Sequence, residues 1–278
     1  MKFSNTVITS RTNPLVKLFA SLSEKKGRNS ERLFIAEGEK LCFEAIKASL
    51  PIAYILIEES RAEQLLPRIR ETVCSEKYSN TELILLGESA FDKISTEKAP
   101  EGVITVIKYL DFFRDLDIIY KEEFFIPEGE RTLALCSVRD PNNLGAVIRS
   151  AVAFGVKHLV LSADCADIYN PKTVRCAMGS LFKIKITRVR DLSSFIESAK
   201  AVGRRVFAAE LREGAKAVGD ISLTSDDIFM IGNEGHGIPE ELSAVASASV
   251  YIPISELTES LNASVAAAIF MWEQNKSL

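Results

Sequence analysis

Residues 139–149 follow a short apolar run and combine residue types that can bind a polar ligand (RDPNNLGAVIR). The Pro141-Asn142 pair predicts a turn into a helix, which Asn143 can cap with its side-chain oxygen. Gly145 allows another backbone to approach this helix closely. Arg149 lies under two helical turns beyond Asn143, so both side chains can reach toward the loop. The same pattern also describes a capped amphipathic helix that binds nothing.

Two later segments also combine polar and flexible residues directly after predicted strands. Residues 232–239 (GNEGHGIP) hold three glycines, which let the chain bend tightly and turn backbone N–H donors toward a ligand. Residues 252–264 (IPISELTESLNAS) lead from a strand end into a helix that begins at Ser260 or Asn262 and continues with small residues. Small residues permit a tight interface or a cofactor contact. A plain glycine turn and a plain buried helix are the alternatives.

Several classes of site are excluded by spacing. The glycines of residues 232–239 do not match the dinucleotide-binding fingerprint, and no Gly-Lys-Ser/Thr of a phosphate-binding loop occurs. The five cysteines are odd in number and form no CxxC pair, and the chain has only two histidines. We therefore expect reduced, mostly buried thiols and no metal site.

Charge is distributed unevenly along the chain. The formal net charge is -4, yet residues 1–32 carry seven basic groups against only two acidic ones. A basic arm of this kind can dock on a phosphate backbone even when the rest of the protein is acidic. A solvated helix face is the alternative. The basic residues are Lys2, Arg11, Lys17, Lys25, Lys26, Arg28 and Arg32.

Composition and hydrophobic patterning predict two α/β domains. With 278 residues, 47% hydrophobic and 26% charged, the chain is an ordinary globular one. We predict strands and helices in residues 1–107, an acidic and aromatic connector at 108–132, and a second domain at 133–278. Strands and helices alternate after residue 133, which predicts a parallel sheet covered by helices. Neither a secretory signal nor a membrane span is predicted, so we expect a cytoplasmic protein.

Taken together, the three segments resemble the motifs of SpoU-type (TrmH-like) RNA 2′-O-ribose methyltransferases of the SPOUT α/β-knot superfamily. The resemblance covers residues 133–278, with Ala263 standing where valine is more usual. Residues 169–181 also resemble this family. The matching residues are Asp140-Pro141-x-Asn143-x-Gly145-x-x-x-Arg149, Ile231-Gly232-x-Glu234-x-x-Gly237-Ile238, and Ile252-Pro253-Ile254 followed by Ser260-Leu261-Asn262-x-Ser264.

The N-terminal third resembles, more weakly, the L30e/L7Ae-like substrate-binding domain that often precedes such enzymes. This resemblance is carried by Asn13-Pro14, Lys25-Lys26-x-Arg28 and Phe34-Ile35-x-Glu37-Gly38. From the positive charge of residues 1–32 we expect Lys25, Lys26 and Arg28 to contact RNA phosphates.

The main resemblance implies a C-terminal trefoil knot, a homodimer and S-adenosyl-L-methionine as the cofactor. It implies cofactor contacts by the backbone of Gly232, Ile252 and Leu261. It places Asn143, Arg149, Glu234, Asn262 and Ser264 around the position of methyl transfer. Arg149 is usually given the activating role, but a guanidinium remains protonated at pH 7. We therefore expect Arg149 to bind phosphate and stabilise a developing alkoxide, with Asn143 and Glu234 orienting Arg149 or the ribose.

The expected activity is ribose 2′-O-methylation of RNA, with no DNA or membrane partner. The basic N-terminal domain favours 23S ribosomal RNA, and transfer RNA is the second candidate. A catalytically silent RNA-binding protein and a nucleotide-dependent oxidoreductase are the remaining alternatives. The presence of Asn143, Arg149 and Glu234 argues against the first, and the missing dinucleotide fingerprint argues against the second.

Overall fold

The structure, a computed structural model, describes residues 1–3, 6–73, 76–111, 113–116, 129–233 and 235–276. The chain divides into two compact units. Unit 1 comprises Met1–Leu110 and Asp167–Lys183, and unit 2 comprises Asp111–Ala166 and Ile184–Leu278. No helix within the described ranges is long and apolar enough to cross a membrane.

Strands and helices alternate along most of the chain. The strands are β1 (Lys2–Phe3), β2 (Leu33–Glu37), β3 (Ile52–Glu58), β4 (Glu82–Leu86), β5 (Val103–Lys108), β6 (Phe113–Leu116), β7 (Thr132–Leu135), β8 (His158–Ser162), β9 (Lys185–Val189), β10 (Val206–Ala209), β11 (Lys216–Ala217), β12 (Ile228–Ile231) and β13 (Ala248–Tyr251). The α-helices are α1 (Pro14–Ser21), α2 (Lys25–Glu31), α3 (Glu39–Lys47), α4 (Ala62–Thr72), α5 (Glu88–Ile94), α6 (Pro141–Ala153), α7 (Pro171–Ala177), α8 (Leu192–Ala201), α9 (Glu240–Val245) and α10 (Ala263–Lys276).

Unit 1 is built on a five-stranded mixed sheet with strand order β1-β4-β3-β5-β2. β1 and β3 pair parallel with β4, whereas β5 runs antiparallel between β3 and β2. Helix α1 begins at Pro14, where the Asn13 side chain accepts a hydrogen bond from the Leu15 N–H at 2.9 Å. Its buried Val16 and Phe19 join the core of this sheet.

Helix α2 consists almost entirely of polar and charged residues (KKGRNSE). The Arg28 side chain anchors this helix because it points inward and is only 1% exposed. Its Nη2 donates to Asp167 Oδ2 at 2.6 Å, and its Nη1 donates to the carbonyls of Leu22 and Ser23 at 2.9 and 2.8 Å. These three contacts offset the cost of burying a charge.

The segment Asp167–Lys183 packs in unit 1 although it lies between β8 and β9 in the sequence. Leu110 N donates to the Tyr169 hydroxyl at 2.8 Å, and Lys183 pairs with Glu44 at 2.7 Å. Such contacts join residues far apart in sequence, which local patterning does not reveal. The predicted boundaries at 107 and 133 place this segment in the second domain, and those boundaries remain predictions.

Unit 2 is built on an eight-stranded sheet with strand order β11-β13-β10-β12-β7-β8-β9-β6. Every strand pair described in this sheet is parallel. β7, β8 and β12 are buried along their length, as expected for strands covered on both faces. From β7 the chain proceeds through β8 to β9 and then returns to the other side of β7. Ligands of such sheets bind beside this reversal, at the carboxyl ends of the strands.

The connector predicted at 108–132 contains an element that patterning does not reveal. Strand β6 pairs with β9 at the sheet edge, with Phe113 opposite Ile186. The aromatic residues expected to pack at Tyr120, Phe124 and Phe125 lie outside the described residues. Strand β11 is also additional to the predicted elements.

Replacing Arg28 with Ala is expected to lower the free energy of unfolding of the full-length protein by roughly 3 kcal/mol. The change leaves a largely buried Asp167 carboxylate without its cation, and breaking a buried pair from one side is costly. Urea unfolding followed by circular dichroism measures this. The control Lys25→Ala, at an exposed position of the same helix, should change stability by less than about 0.5 kcal/mol. Equal midpoints for the two variants would contradict the anchoring role.

Candidate functional site

The first of the three segments leaves β7 through a strained turn. Ser137 has a left-handed backbone with φ 57°, which is uncommon for a residue other than glycine. Helix α6 then begins at Pro141. Its cap is Asp140, whose carboxylate accepts from the N–H groups of Asn142 and Asn143 at 2.7 and 2.9 Å. The prediction that Asn143 caps this helix is therefore wrong, because Asp140 occupies the capping position.

The Asn143 side chain contacts the third segment. Asn262 Nδ2 donates to Asn143 Oδ1 at 3.0 Å. The other end of the Asn262 amide starts helix α10: its Oδ1 accepts from the backbone N–H and the hydroxyl of Ser264, at 2.9 and 2.6 Å. The structure thus brings three of the predicted catalytic residues into one hydrogen-bonded group.

The second segment is a tight turn held by Asn233. Asn233 and Gly237 exchange backbone hydrogen bonds, and Asn233 Oδ1 accepts from the N–H groups of Gly235 and His236. Asn233 Nδ2 donates to the Ser137 carbonyl at 2.9 Å, which ties this turn to the first segment. Asn233 is not among the predicted site residues, although an asparagine directly before a glycine-rich turn is a recognisable signal. Glu234, predicted to be catalytic, lies outside the described residues.

Arg149 lies on the exposed surface of helix α6. Among the described residues its guanidinium forms no hydrogen bond or ion pair, and its expected role toward phosphate and a developing alkoxide stays a prediction. The Arg149 charge is available to a ligand in solution. Nothing in the described protein neutralises it.

A cavity of about 510 Å³ opens at the carboxyl ends of β10, β12 and β13. All three residues predicted to contact a cofactor, Gly232, Ile252 and Leu261, line it. Ile252 lies just beyond β13, which ends at Tyr251. The four described catalytic candidates are not part of the lining. The remaining lining residues are Ala209, Glu210, Leu211, Ile231, Asn233, His236, Gly237, Ile238, Tyr251, Ile254, Glu259, Ser260, Ala263, Ala266 and Phe270.

Glu210 is a lining residue that the sequence analysis missed. It follows β10 directly, and its carboxylate accepts hydrogen bonds from the hydroxyls of Ser243 and Ser249 at 2.8 and 2.6 Å. Arg212 lies 3.5 Å from the same carboxylate. The sequence feature that could have identified Glu210 is its position as the first charged residue after a predicted parallel strand. Its contacts hold a negative charge at the wall of the cavity.

A second cluster of polar residues lies at the carboxyl ends of β7 and β8, and neither of its two cysteines is reactive. Burial opposes ionisation of Asp164, but hydrogen bonds led by those from Ser162 and Arg139 lower the pKa of this carboxyl to about 2. Burial raises the pKa of the Cys165 thiol to about 11, and it also raises the pKa of Cys136. Both thiols are protonated at neutral pH and are unsuited to act as nucleophiles.

Of the predicted RNA contacts in unit 1, two are accessible and one is not. Lys25 and Lys26 are exposed, and neither has a partner among the described residues. Arg28 is buried against Asp167, so a phosphate contact by Arg28 is incompatible with the structure. The described residues contain no group of three or more His, Cys, Asp or Glu side chains able to hold a metal ion.

Comparison with known proteins matches this architecture. The SpoU rRNA methylase family matches residues 130–272, and the MRM3-like substrate binding domain matches residues 13–105. The 23S rRNA (guanosine(2553)-2′-O)-methyltransferase RlmP of Bacillus subtilis is 32% identical over 265 residues, covering 95% of this chain and 97% of that protein. The 23S rRNA (uridine(2479)-2′-O)-methyltransferase of Streptomyces viridochromogenes is 29% identical and covers 96% of this chain and 90% of its own.

A solved structure extends the match to the whole fold. The AdoMet-bound rRNA methyltransferase from Sinorhizobium meliloti is 30% identical, superposes with a TM-score of 0.81, and covers 98% of both chains. The predicted fold class is confirmed: a parallel-sheet α/β methyltransferase domain preceded by a substrate-binding domain. With the family match over residues 130–272, this likeness leads to one conclusion: the chain belongs to the SpoU rRNA methylase family.

Proposed function

We propose that this protein transfers the methyl group of S-adenosyl-L-methionine to a ribose 2′-hydroxyl of 23S ribosomal RNA in the cytoplasm. One observation carries the proposal. Gly232, Ile252 and Leu261 line a single cavity at the carboxyl edge of the sheet, and Asn143 and Asn262 join the neighbouring segments by a hydrogen bond. The names of the Bacillus and Streptomyces relatives favour ribosomal RNA over transfer RNA, the second candidate.

The cavity fits the proposed cofactor in size and in chemistry. Its volume of about 510 Å³ lies within the roughly 300–1,000 Å³ typical of small-molecule sites. Ile231, Ile238 and Phe270 offer apolar surface for an adenine ring, and the turn at Gly232 offers backbone hydrogen-bonding groups. The Glu210 carboxylate is placed to accept hydrogen bonds from ribose hydroxyls. When bound, the cofactor supplies a methyl group already activated on a sulfonium.

With the methyl group already activated, the protein's task is to position the RNA ribose and to stabilise charge. We assign charge stabilisation to Arg149, because its exposed guanidinium has no partner in the described chain. A guanidinium stays protonated, so it acts as a clamp on phosphate and on the developing alkoxide rather than as a base.

The asparagine pair orients the ribose in this proposal. Asn262 Nδ2 donates a hydrogen bond to Asn143 Oδ1, and Asn262 Oδ1 accepts from the backbone N–H and the hydroxyl of Ser264. These hydrogen bonds fix the orientations of both amides. Fixed donors and acceptors lose little entropy when a ligand binds. We assign Glu234 an orienting role toward Arg149 or the ribose on the strength of its position in the second motif.

In the same proposal, unit 1 adds affinity for the RNA through Lys25 and Lys26. Both are exposed at the start of α2 and carry no opposing charge among the described residues. Arg28 is not part of this surface, because Asp167 already pairs with it.

Incubating the protein with tritiated S-adenosyl-L-methionine and total RNA from a strain lacking the gene tests the activity. Label in 23S RNA, mapped to one ribose, is the expected result. Label in transfer RNA alone would show that transfer RNA, and not 23S ribosomal RNA, is the substrate. A thermal shift with NAD instead of S-adenosyl-L-methionine, or cofactor binding without any labelled RNA, would overturn the methyltransferase proposal.

Replacing Arg149 with Ala is expected to lower methyl-transfer turnover at least about a hundredfold, the scale for losing one preorganised donor to an oxyanion. Arg149→Lys keeps the charge but loses the planar fork, so it should recover only a small part. Single-turnover kinetics with RNA measure both variants. Calorimetry should show unchanged cofactor affinity, since Arg149 does not line the cavity. Near-normal methylation by Arg149→Ala would show that this arginine is only a helix-surface residue.

Replacing Gly232 with Ala is expected to weaken cofactor binding at least about tenfold. The added Cβ would lie 2.6 Å from the Gly237 backbone and 2.8 Å from Ile238, so the turn must shift at an overpacking cost of roughly 1–3 kcal/mol. Gly219→Ala is the matched control, because its Cβ meets no atom within 4 Å. Calorimetry with S-adenosyl-L-methionine compares them. Equal cofactor affinities of the two variants would show that the Gly232 turn is not part of the cofactor site.

We further propose that the protein is a homodimer through helix α10. Ala267, Phe270 and Met271 are buried on one face of this helix, while Val265 and Trp272, seven residues apart, leave a second apolar face about half exposed. A helix with apolar residues on both sides needs cover on both. A two-fold interface would supply that cover.

Sedimentation is expected to give twice the chain mass of 30.7 kDa at micromolar concentration. Val265→Glu should yield monomers, because the two-fold axis places both new charges in the interface, while a Glu in the first turn of α10 favours the helix itself. Val202→Glu, at another exposed apolar residue, should leave the mass unchanged. A wild-type monomer would contradict the proposal.

A further inference from the structure

A column of stacked planar groups runs outward from the core of unit 1. Phe34, fully buried in β2, stacks on Tyr169 with ring centroids 4.6 Å apart. Tyr169, also buried, stacks on Tyr109 at 4.2 Å with an angle of 22° between the rings. The Arg32 guanidinium lies 4.4 Å from the centroid of the Tyr109 ring and ends the column. The outermost planar group is therefore a cation.

This outer end is fixed in position and exposed. Tyr109 is half-buried, and its hydroxyl donates to Asn29 Oδ1 at 2.9 Å, while its backbone N–H donates to the Arg32 carbonyl at 3.0 Å. Arg32 itself is exposed and forms no ion pair within the described residues. It ends α2 in a left-handed conformation with φ 55°, where glycine would be unstrained. An arginine here presents its planar group and keeps its full charge.

Three exposed lysines lie on the elements that carry this end of the column. Lys25 and Lys26 lie four and three residues before Asn29 on α2, so they are its neighbours on the helix surface. Lys108, exposed at the end of β5, adds a further positive charge directly before Tyr109. Acidic residues in the same stretches of the chain include the exposed Glu24, Glu31 and Asp111, whereas Asp167 is already paired with Arg28.

We propose that Arg32 and Tyr109 form a stacking platform for an unpaired nucleobase of the RNA substrate. This inference rests on the proposed function and names a binding subsite for it in unit 1. Single-stranded RNA is bound by bases stacking on aromatic rings and arginine planes, with nearby cations holding the phosphates. One face of the Arg32 guanidinium lies on Tyr109, and a base stacks on its exposed side. The buried Tyr169 and Phe34 hold the platform in place before RNA arrives.

The experiment compares binding of the full-length protein to two fluorescent 12-mers: oligoadenylate and an abasic ribose-phosphate chain of equal length. Wild type should bind oligoadenylate more tightly. Arg32→Lys keeps the charge but loses the plane, so it should lose about tenfold on oligoadenylate and little on the abasic chain. Arg32→Gly, which suits the left-handed backbone and so retains the fold, should weaken binding to both.

Arg68→Ala is the matched control. Arg68 also stacks on a ring, that of Phe43 at 4.8 Å, but its guanidinium is already paired with Glu39 at 2.6 Å. Its loss should leave both affinities unchanged. An oligoadenylate carrying 2-aminopurine adds a direct signal, because stacking on the platform quenches its fluorescence in wild type and not in Arg32→Lys.

Equal affinities of wild type for the two 12-mers, or unchanged quenching in Arg32→Lys, would overturn the platform. Methylation of ribosomal RNA, measured on the same preparations, separates this from the proposed function. If wild type transfers methyl groups but binds oligoadenylate and the abasic chain equally, only the platform proposal is wrong. The absence of methyl transfer removes the proposed function, whereas the binding data still decide whether a base stacks on Arg32.

Discussion

Loops that leave the carboxyl edge of a parallel sheet lack the regular partners that strands and helices give one another, and here asparagine side chains provide them. A carboxamide carries a donor and an acceptor on the same group. Asn233 uses its oxygen to close the turn after β12 and its Nδ2 to hold the Ser137 carbonyl after β7. Asn262 uses its oxygen to start α10 and its Nδ2 to hold Asn143. An aspartate at either position could close its own turn but could not donate to the neighbouring segment.

These links explain how a cavity remains open at this edge. Each hydrogen bond contributes only about 1 kcal/mol to stability, but together they fix the ends of three loops relative to one rigid sheet. The turn at Gly232 is so tight that the position has no room for a side chain. Asparagine side chains therefore hold these loops in place beside the cavity.

The alternation of strands and helices was sufficient to predict the parallel sheet of unit 2, because it depends on local patterning, but it did not reveal the edge strands β6 and β11. The sequence could not distinguish Arg28 from Lys25 and Lys26. All three occur within four residues, yet only Arg28 meets a buried carboxylate, and that carboxylate belongs to residue 167. The prediction that Asn143 caps α6 was wrong for a similar reason. Asp140 and Asn143 can both cap a helix, and the geometry of the turn decides between them. Glu210 was missed because its role depends on Ser243 and Ser249, more than thirty residues away.

The placement of Asp167–Lys183 in unit 1 bears on how the protein is made. The chain passes between the two units at residues 110, 166 and 183, so unit 1 is not a continuous stretch of sequence. During synthesis, Arg28 and Phe34 leave the ribosome well before Asp167 and Tyr169, their buried partners. Until those partners emerge, a buried arginine lacks its counterion and a core aromatic lacks its neighbour. Unit 1 is therefore complete only after the central strands β7 and β8 of unit 2 have been translated, so its core forms last around residues 167–183.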